Sequence, residues 1–184
     1  LLFLGSSCIY PRDCPQPISE EYLLSSPLEN TNEYYAIAKI AGIKLCESLR
    51  KQHQFDSICL MPTNIFGEND NYNLQNSHFI PALIRKIHYA IKKKQKMIEV
   101  WGTGKPKREI MHVDDLADAI VFFMNKKTKE SLINIGSGYE KTINQYAKIL
   151  INISGQKISI KNVNKNLNGV RKKLLNSNLA RKYG

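Results

Sequence analysis

The sequence predicts an α/β fold with a parallel sheet, on three observations. Short, largely apolar runs at 1–4, 56–60 and 133–135 alternate with longer stretches of helical periodicity. The runs read as strands covered on both faces, as parallel strands are. Each closes on a turn: Gly5-Ser6-Ser7, Met61-Pro62-Thr63-Asn64 and Gly136-Ser137-Gly138. In an open parallel sheet, ligands sit beyond the carboxyl ends of the strands, where such turns lie.

In chain order, the strand at 1–4 leads into a loop over 11–30 that holds Pro11, Pro15, Pro17 and Pro27. Thr31 or Asn32 can cap the next helix, which carries an apolar stripe of Ile37, Ile40, Ala41, Leu45 and Leu49 to about His53. A strand at 56–60 follows, then a polar loop at 68–75. A helix runs from about His78 to Lys93, with Pro81 suited to its first turn. Residues 98–101 and 108–112 read as extended, with a turn at 102–107. A helix spans 114–125 with acidic residues at its start. After the strand at 133–135 come a helix at 142–153 with a Thr142 cap, a strand at 157–160, an Asn/Lys-rich loop at 161–169 and a short helix at 176–183.

The 184 residues suffice for one or two compact units. No apolar run has the length of a membrane span, and 1–4 is too short for a signal peptide. The net charge of +11 raises nucleic-acid binding. The dense basic runs, at 92–96 and 171–173, lack interleaved aromatics for base stacking, so nucleic acid is set aside. Lysines spread over solvated faces are the simpler expectation, and a basic surface also suits nucleotide diphosphates. Cys8, Cys14, Cys46 and Cys59 show no metal or dithiol spacing, and Cys46 and Cys59 fall in core patterns. A reducing cytosol is the expected compartment.

Tyr35 and Lys39 stand four apart on a predicted helix and so share a face. A cation beside a phenol favours phenolate, which makes Tyr35 a usable proton donor to a forming alkoxide. Taken alone the pair is weak, because solvated helices carry many such pairs.

Its company makes it specific. Gly5-Ser6-Ser7-Cys8-Ile9-Tyr10-Pro11, Asn32-Glu33-Tyr34-Tyr35-Ala36-Ile37-Ala38-Lys39, Met61-Pro62-Thr63-Asn64, Asn76-Ser77-His78, Ile80-Pro81-Ala82-Leu83 and His112-Val113-Asp114-Asp115 resemble the GDP-L-fucose synthase family. That family belongs to the extended short-chain dehydrogenase/reductase superfamily, and the resemblance runs along the whole chain. It implies a Rossmann-like parallel sheet at 1–66 and 109–137, with a smaller α+β part at 67–108 and 138–184 that binds the sugar nucleotide. It also implies NADP(H), a GDP-sugar substrate, a cytoplasmic enzyme and a homodimer to which the Tyr35 helix contributes. The implied reaction is 3,5-epimerisation of GDP-4-keto-6-deoxy-D-mannose followed by reduction at C4.

Carried over by motif, Ser6, Tyr35 and Lys39 form the reductase triad, and Cys8 and His78 the epimerising acid–base pair. Leu4, Gly5, Ser6, Ser7, Lys39, Pro62, Thr63, Asn64, Ile65 and His78 fall at positions that line the cofactor. Lys86, Trp101 and Arg108 fall at the GDP-sugar, with Lys86 in place of a more usual Arg. His112 reads as structural, joining the sheet to the following helix.

The segment Asn168-Gly169-Val170-Arg171-Lys172-Lys173-Leu174-Leu175-Asn176 departs from the family's Asp-Gly-Thr-Pro-Arg-Lys-Leu-Leu-Asp. Two acids become amides and the proline is lost. The chain opens inside a strand and ends after a helix, so it reads as a fragment lacking the Gly-rich turn that cradles a pyrophosphate; poor NADPH binding by the piece alone is the expectation. Two alternatives stand beside the synthase reading: a related NAD(P)-dependent sugar-nucleotide epimerase or dehydratase, and a non-catalytic remnant. Dehydratases want a carboxylate near the Ser6 turn, where this chain has Cys8.

Overall fold

In a computed structural model, residues 1–164 and 169–184 are described. The chain forms two compact units. Unit 1 comprises Leu1–Ile65, Glu109–Tyr139 and Lys173–Gly184; unit 2 comprises Phe66–Arg108 and Glu140–Lys172.

Unit 1 is built on a parallel sheet of β1 (Leu2–Leu4), β2 (Ile58–Pro62) and β6 (Leu132–Ile135), in that order. Leu2, Phe3 and Leu4 stand opposite Ile58, Cys59 and Leu60. Cys59 through Pro62 stand opposite Leu132 through Ile135. Every residue of β2 and β6 is buried, which explains their unbroken apolar reading. Pro62 sits at the last position of β2, where a missing N–H costs the ladder least.

The sheet is covered on both faces. Helix α1 (Glu33–His53) lays Ala36, Ile40, Ile43 and Cys46 against Cys59 and Met61. On the other face, α3 (Val113–Met124) and α5 (Asn178–Tyr183) pack Leu116, Phe123, Leu179 and Tyr183 against Ile58, Leu60, Ile133 and Ile135. The two sets on β2 differ by one residue, the period-two alternation of a pleated strand. Asn32 stands at the N-cap of α1 without a side-chain cap bond. His112 caps α3 by accepting from the Asp114 N–H through Nδ1, which gives that histidine its structural role.

Unit 2 pairs β4 (Met97–Trp101) in parallel with β8 (Ser159–Val163), from Met97 opposite Ser159 to Trp101 opposite Val163. Ile98 and Val100 turn inward while Met97, Glu99 and Trp101 face out. Helices α2 (Phe79–Lys92) and α4 (Ile143–Ile153) supply Ile80, Leu83, Ile87, Tyr146 and Ile151 to its interior. Thr142 caps α4 in a reciprocal box with Gln145. Short strands β3 (Asn64–Phe66), β5 (Lys107–His112), β7 (Glu140–Thr142) and β9 (Lys172–Lys173) complete the elements.

Three details differ from the sequence reading. The strand expected at 157–160 lies at Ser159–Val163, held by the Ser159 N–H to Lys96 carbonyl bond. The strands at 64–66, 140–142 and 172–173 are too short to show a period. Lys173–Gly184, expected with the second part, joins unit 1. The reason is burial: Leu175 is 3% exposed in the α1-side core, and Leu179 and Tyr183 pack on the opposite face of the sheet.

The charge is also unevenly placed. Unit 2 holds sixteen Lys and Arg against four Asp and Glu, a net +12; unit 1 holds eleven against twelve, a net −1. The lysine excess is therefore not spread evenly over solvated faces but resides in one unit. Among the described residues no helix is long and apolar enough to cross a membrane.

Candidate active site

In unit 1 the site begins where β1 ends. The Gly5 N–H donates to the Leu60 carbonyl at 2.8 Å, and a Cβ at Gly5 would collide with Met61 Sδ. Only glycine lets the chain turn this close to β2. Ser6, extended at φ −165, caps a single 3-10 turn, Ser7–Ile9, by accepting from the Cys8 N–H at 3.1 Å. A hydroxyl oxygen engaged this way keeps its own proton for a carbonyl oxygen. Beneath the turn, Ile9 and Tyr10 are buried, and the Tyr10 hydroxyl donates to Asn134 Oδ1 at 2.6 Å. Burial pushes the Tyr10 phenol well above its ordinary range, and Glu20 adds to this, so Tyr10 is a fixed anchor rather than an acid.

Helix α1 brings the cation. Lys39 Nζ donates to the Leu4 carbonyl at 2.8 Å and stands 5.8 Å from the centre of the Tyr35 ring and 5.2 Å from that of Phe3. Tyr35 is 48% exposed in the first turn of the same helix. Leu4, Tyr35 and Lys39 are thus gathered at one end of the parallel sheet.

The turn after β2 lies in the same unit. Pro62 and Thr63 are buried, and the side chains of Thr63 and Asn64 donate to the Glu109 carbonyl at 3.2 and 2.8 Å. With their side chains turned inward, what Thr63 and Asn64 can offer a ligand is backbone.

Cys8 is partly exposed, whereas Cys14, Cys46 and Cys59 are buried. Burial pushes the Cys14 thiol up and the Cys59 thiol up to about 12, the latter also through its neighbour Cys46. His78, the expected partner of Cys8, is exposed at the N-cap of α2 in unit 2 and makes no cap bond there.

In unit 2, Lys86 and Trp101 come together. Lys86 Nζ lies 4.9 Å from the Trp101 ring and donates to the Glu99 carbonyl at 2.9 Å. Both line a cavity of about 570 Å³ with Tyr89, Glu99 and Leu74. Burial lowers the Lys86 pKa, with Glu99 acting in the other direction. Arg108 does not line that cavity; its Nη1 donates to the Lys107 and Val170 carbonyls, each at 2.7 Å. Of the altered 168–176 segment, Asn168 lies outside the described residues.

The sequence reading missed Glu109, which is fully buried. Its Oε1 accepts from the Gly138 N–H at 2.6 Å and from Ser137 Oγ at 3.4 Å, and its Oε2 from the Leu175 N–H at 3.0 Å. A Cβ at Gly136 would fall 2.5 Å from this carboxylate. Gly136-Ser137-Gly138 is therefore a turn wrapped around a buried carboxylate. The sequence held one signal, a single acid within an extended run just ahead of the 112–115 cap.

Parallel strands, a serine turn at their carboxyl end and a Tyr-x-x-x-Lys helix against them are the architecture of the short-chain dehydrogenase/reductase class. The chain belongs to the NAD dependent epimerase/dehydratase family, whose pattern matches residues 1–136. It is 54% identical over 155 residues to GDP-L-fucose synthase 1 of Arabidopsis thaliana, covering 84% of this chain and 48% of that protein. It is 49% identical over 177 residues to GDP-L-fucose synthase of Sinorhizobium fredii, covering 96% and 56%. Its fold matches the crystal structure of a GDP-L-fucose synthetase from Naegleria fowleri bound to NADP, with TM-score 0.88, 25% identity and coverage of 98% and 58%. The chain spans about half the length of the curated relatives it matches.

Proposed function

We propose that this chain is the catalytic and sugar-nucleotide-binding portion of a GDP-L-fucose synthase, converting GDP-4-keto-6-deoxy-D-mannose to GDP-L-fucose with NADPH. The observation that carries the reading is the Leu4–Lys39–Tyr35 arrangement beside the Ser6 hydroxyl, on a chain half identical to synthases over most of its length.

The residues fit a nicotinamide cofactor: backbone of Leu4–Ser7 and of Pro62–Ile65, with Lys39 fixed at the strand end to reach a ribose. When bound, NADPH supplies the hydride for C4. Ser6 donates a hydrogen bond to the C4 carbonyl oxygen, a fixed dipole aimed at developing negative charge. Tyr35 delivers the proton to that oxygen, and Lys39 favours the phenolate left behind. Before reduction, protons at C3 and C5, acidic because they neighbour a ketone, are removed and returned on opposite faces by Cys8 and His78. Lys86 and Trp101 receive the GDP moiety, and Arg108 binds its phosphates.

The helix α1 exposes Tyr34 (87%), Ile37 (51%) and Leu45 (61%) on a face turned away from its own core, and this stripe supports a homodimer. Four free thiols suit a reducing cytosol. The function is tested by incubating the full protein with NADPH and GDP-4-keto-6-deoxymannose and identifying the product by NMR. GDP-L-fucose supports the reading; a dehydrated or C4-epimerised sugar, or unchanged substrate, overturns it.

A further inference from the structure

Unit 2 contains a second cavity, of about 710 Å³, between the turn that precedes β5 and the segment that enters β9. None of Lys86, Trp101 and Arg108 lines it; Lys105, Lys107, Arg171 and Lys172 do. We propose that this cavity is a separate anion site that takes a condensed phosphate, a chain of two or more linked phosphates.

The cations converge because the backbone fixes them. The Lys107 N–H donates to the Arg171 carbonyl at 2.9 Å, tying the two segments side by side. Glu140 Oε1 then accepts from Lys107 Nζ and Lys172 Nζ, each at 3.2 Å, so one carboxylate holds two ammonium groups at the cavity wall. Lys105 and Arg171 are exposed, and their side chains have no ion pair among the described residues. Among the described residues, four cations against one carboxylate leave three positive charges around the cavity. A single phosphate, at about −1.5 to −2, does not balance them, whereas a condensed phosphate does. Arginine adds a planar fork that matches phosphate oxygens two at a time.

The surroundings favour the same ligand. The whole +12 excess of unit 2 raises the local concentration of polyanions. Arg171 replaces a proline of the resembled family pattern, so one of the four cations belongs to the departure of this sequence. Inorganic polyphosphate and the phosphates of a free nucleotide share this chemistry. The lining residues Gly169 and Arg171 flank Val170, whose carbonyl accepts from Arg108.

The test is calorimetric titration of the full protein with tripolyphosphate, and separately with ATP and GDP. One-to-one tripolyphosphate binding that weakens as salt rises is expected. Replacing Arg171 and Lys105 together with Gln should weaken it at least about tenfold, since each removes a charge-assisted bond. Replacing Lys92 and Lys157, exposed lysines of the same unit outside the cavity, should change it less than about twofold. Tighter binding of ATP than tripolyphosphate identifies a nucleotide as the source, and equal binding a free polyphosphate. No binding at millimolar ligand, equal weakening by both double substitutions, or complete displacement by one equivalent of GDP overturns the proposal. The last outcome would make the cavity part of the substrate's own diphosphate site. None of these readouts depends on catalysis, so failure here is distinct from failure of the synthase reading.

Discussion

Lys39 Nζ is hydrogen-bonded to the carbonyl of Leu4 at 2.8 Å while it stands 5.8 Å from the Tyr35 ring. One side chain thereby links the last residue of the parallel strand β1 to the proposed proton donor. Replacing Lys39 with Met keeps the apolar stem and removes both links. Activity should fall about a hundredfold or more, and stability by roughly 1.5–3 kcal/mol at most for a bond to a charged donor. Retained activity with lowered thermal stability would leave Lys39 a structural residue.

Thiol labelling separates Cys8 from the rest. Cys8 is partly exposed; Cys14, Cys46 and Cys59 are buried, with the Cys14 thiol pushed up and the Cys59 thiol pushed up to about 12. Native protein treated with a disulfide reagent near pH 8 should label at Cys8 first, with the others reacting only on unfolding. Cys8→Ser should abolish epimerisation while ketone reduction persists. Loss of neither activity would favour a dehydratase or C4-epimerase, which has no use for this thiol.

Glu109 is the structural centre of the Gly136–Gly138 turn. Glu109→Ala strands the N–H groups of Gly138 and Leu175, at roughly 1–3 kcal/mol each. Gly136→Ala drives a methyl to 2.5 Å from the same carboxylate and should cost about 1–3 kcal/mol. Urea titration measures both. The double substitution should be less than additive, because removing the carboxylate clears the space that the methyl needs. Strict additivity would show that the turn does not depend on this contact.

Lys86 gives a pH signature. Its pKa is lowered by burial, so the unfolded chain binds its proton more tightly than the folded one does. Between the lowered value and the ordinary one near about 10.4, unfolded protein holds more protons. Stability from this group therefore rises with pH across that window and is lost as pH falls through it. Lys86→Met should remove that rise from the alkaline limb of a thermal melt series and weaken GDP binding about tenfold. An unchanged alkaline limb would place the ammonium in water.

The fold was legible where burial imposes a period. β2 and β6 declared themselves because both faces are covered. The helix α1 was legible but its inward face was not: of the expected stripe, Ile37, Ala41 and Leu45 are exposed, and the buried face is Ala36, Ile40, Ile43 and Cys46. Tyr35 and Lys39 were legible by their helical spacing. Glu109 was not, since nothing local distinguishes a buried carboxylate from a solvated one until Gly138 and Leu175, distant in sequence, bring their N–H groups. The segregation of charge shows only when the two stretches that form unit 2, far apart in sequence, are counted together. The return of Leu175 to the first unit was hidden likewise, since its segment departs from the resembled family pattern and its burial depends on residues distant in sequence.

The most direct test of the account is NADPH absorbance after GDP-4-keto-6-deoxymannose is added to the full protein, wild type beside Tyr35→Phe. The account predicts a stoichiometric fall for the wild type and a rate about 10²–10⁴-fold lower for the variant, the usual weight of a positioned general acid. Unchanged absorbance with wild-type protein, or an undiminished rate in Tyr35→Phe, would contradict it.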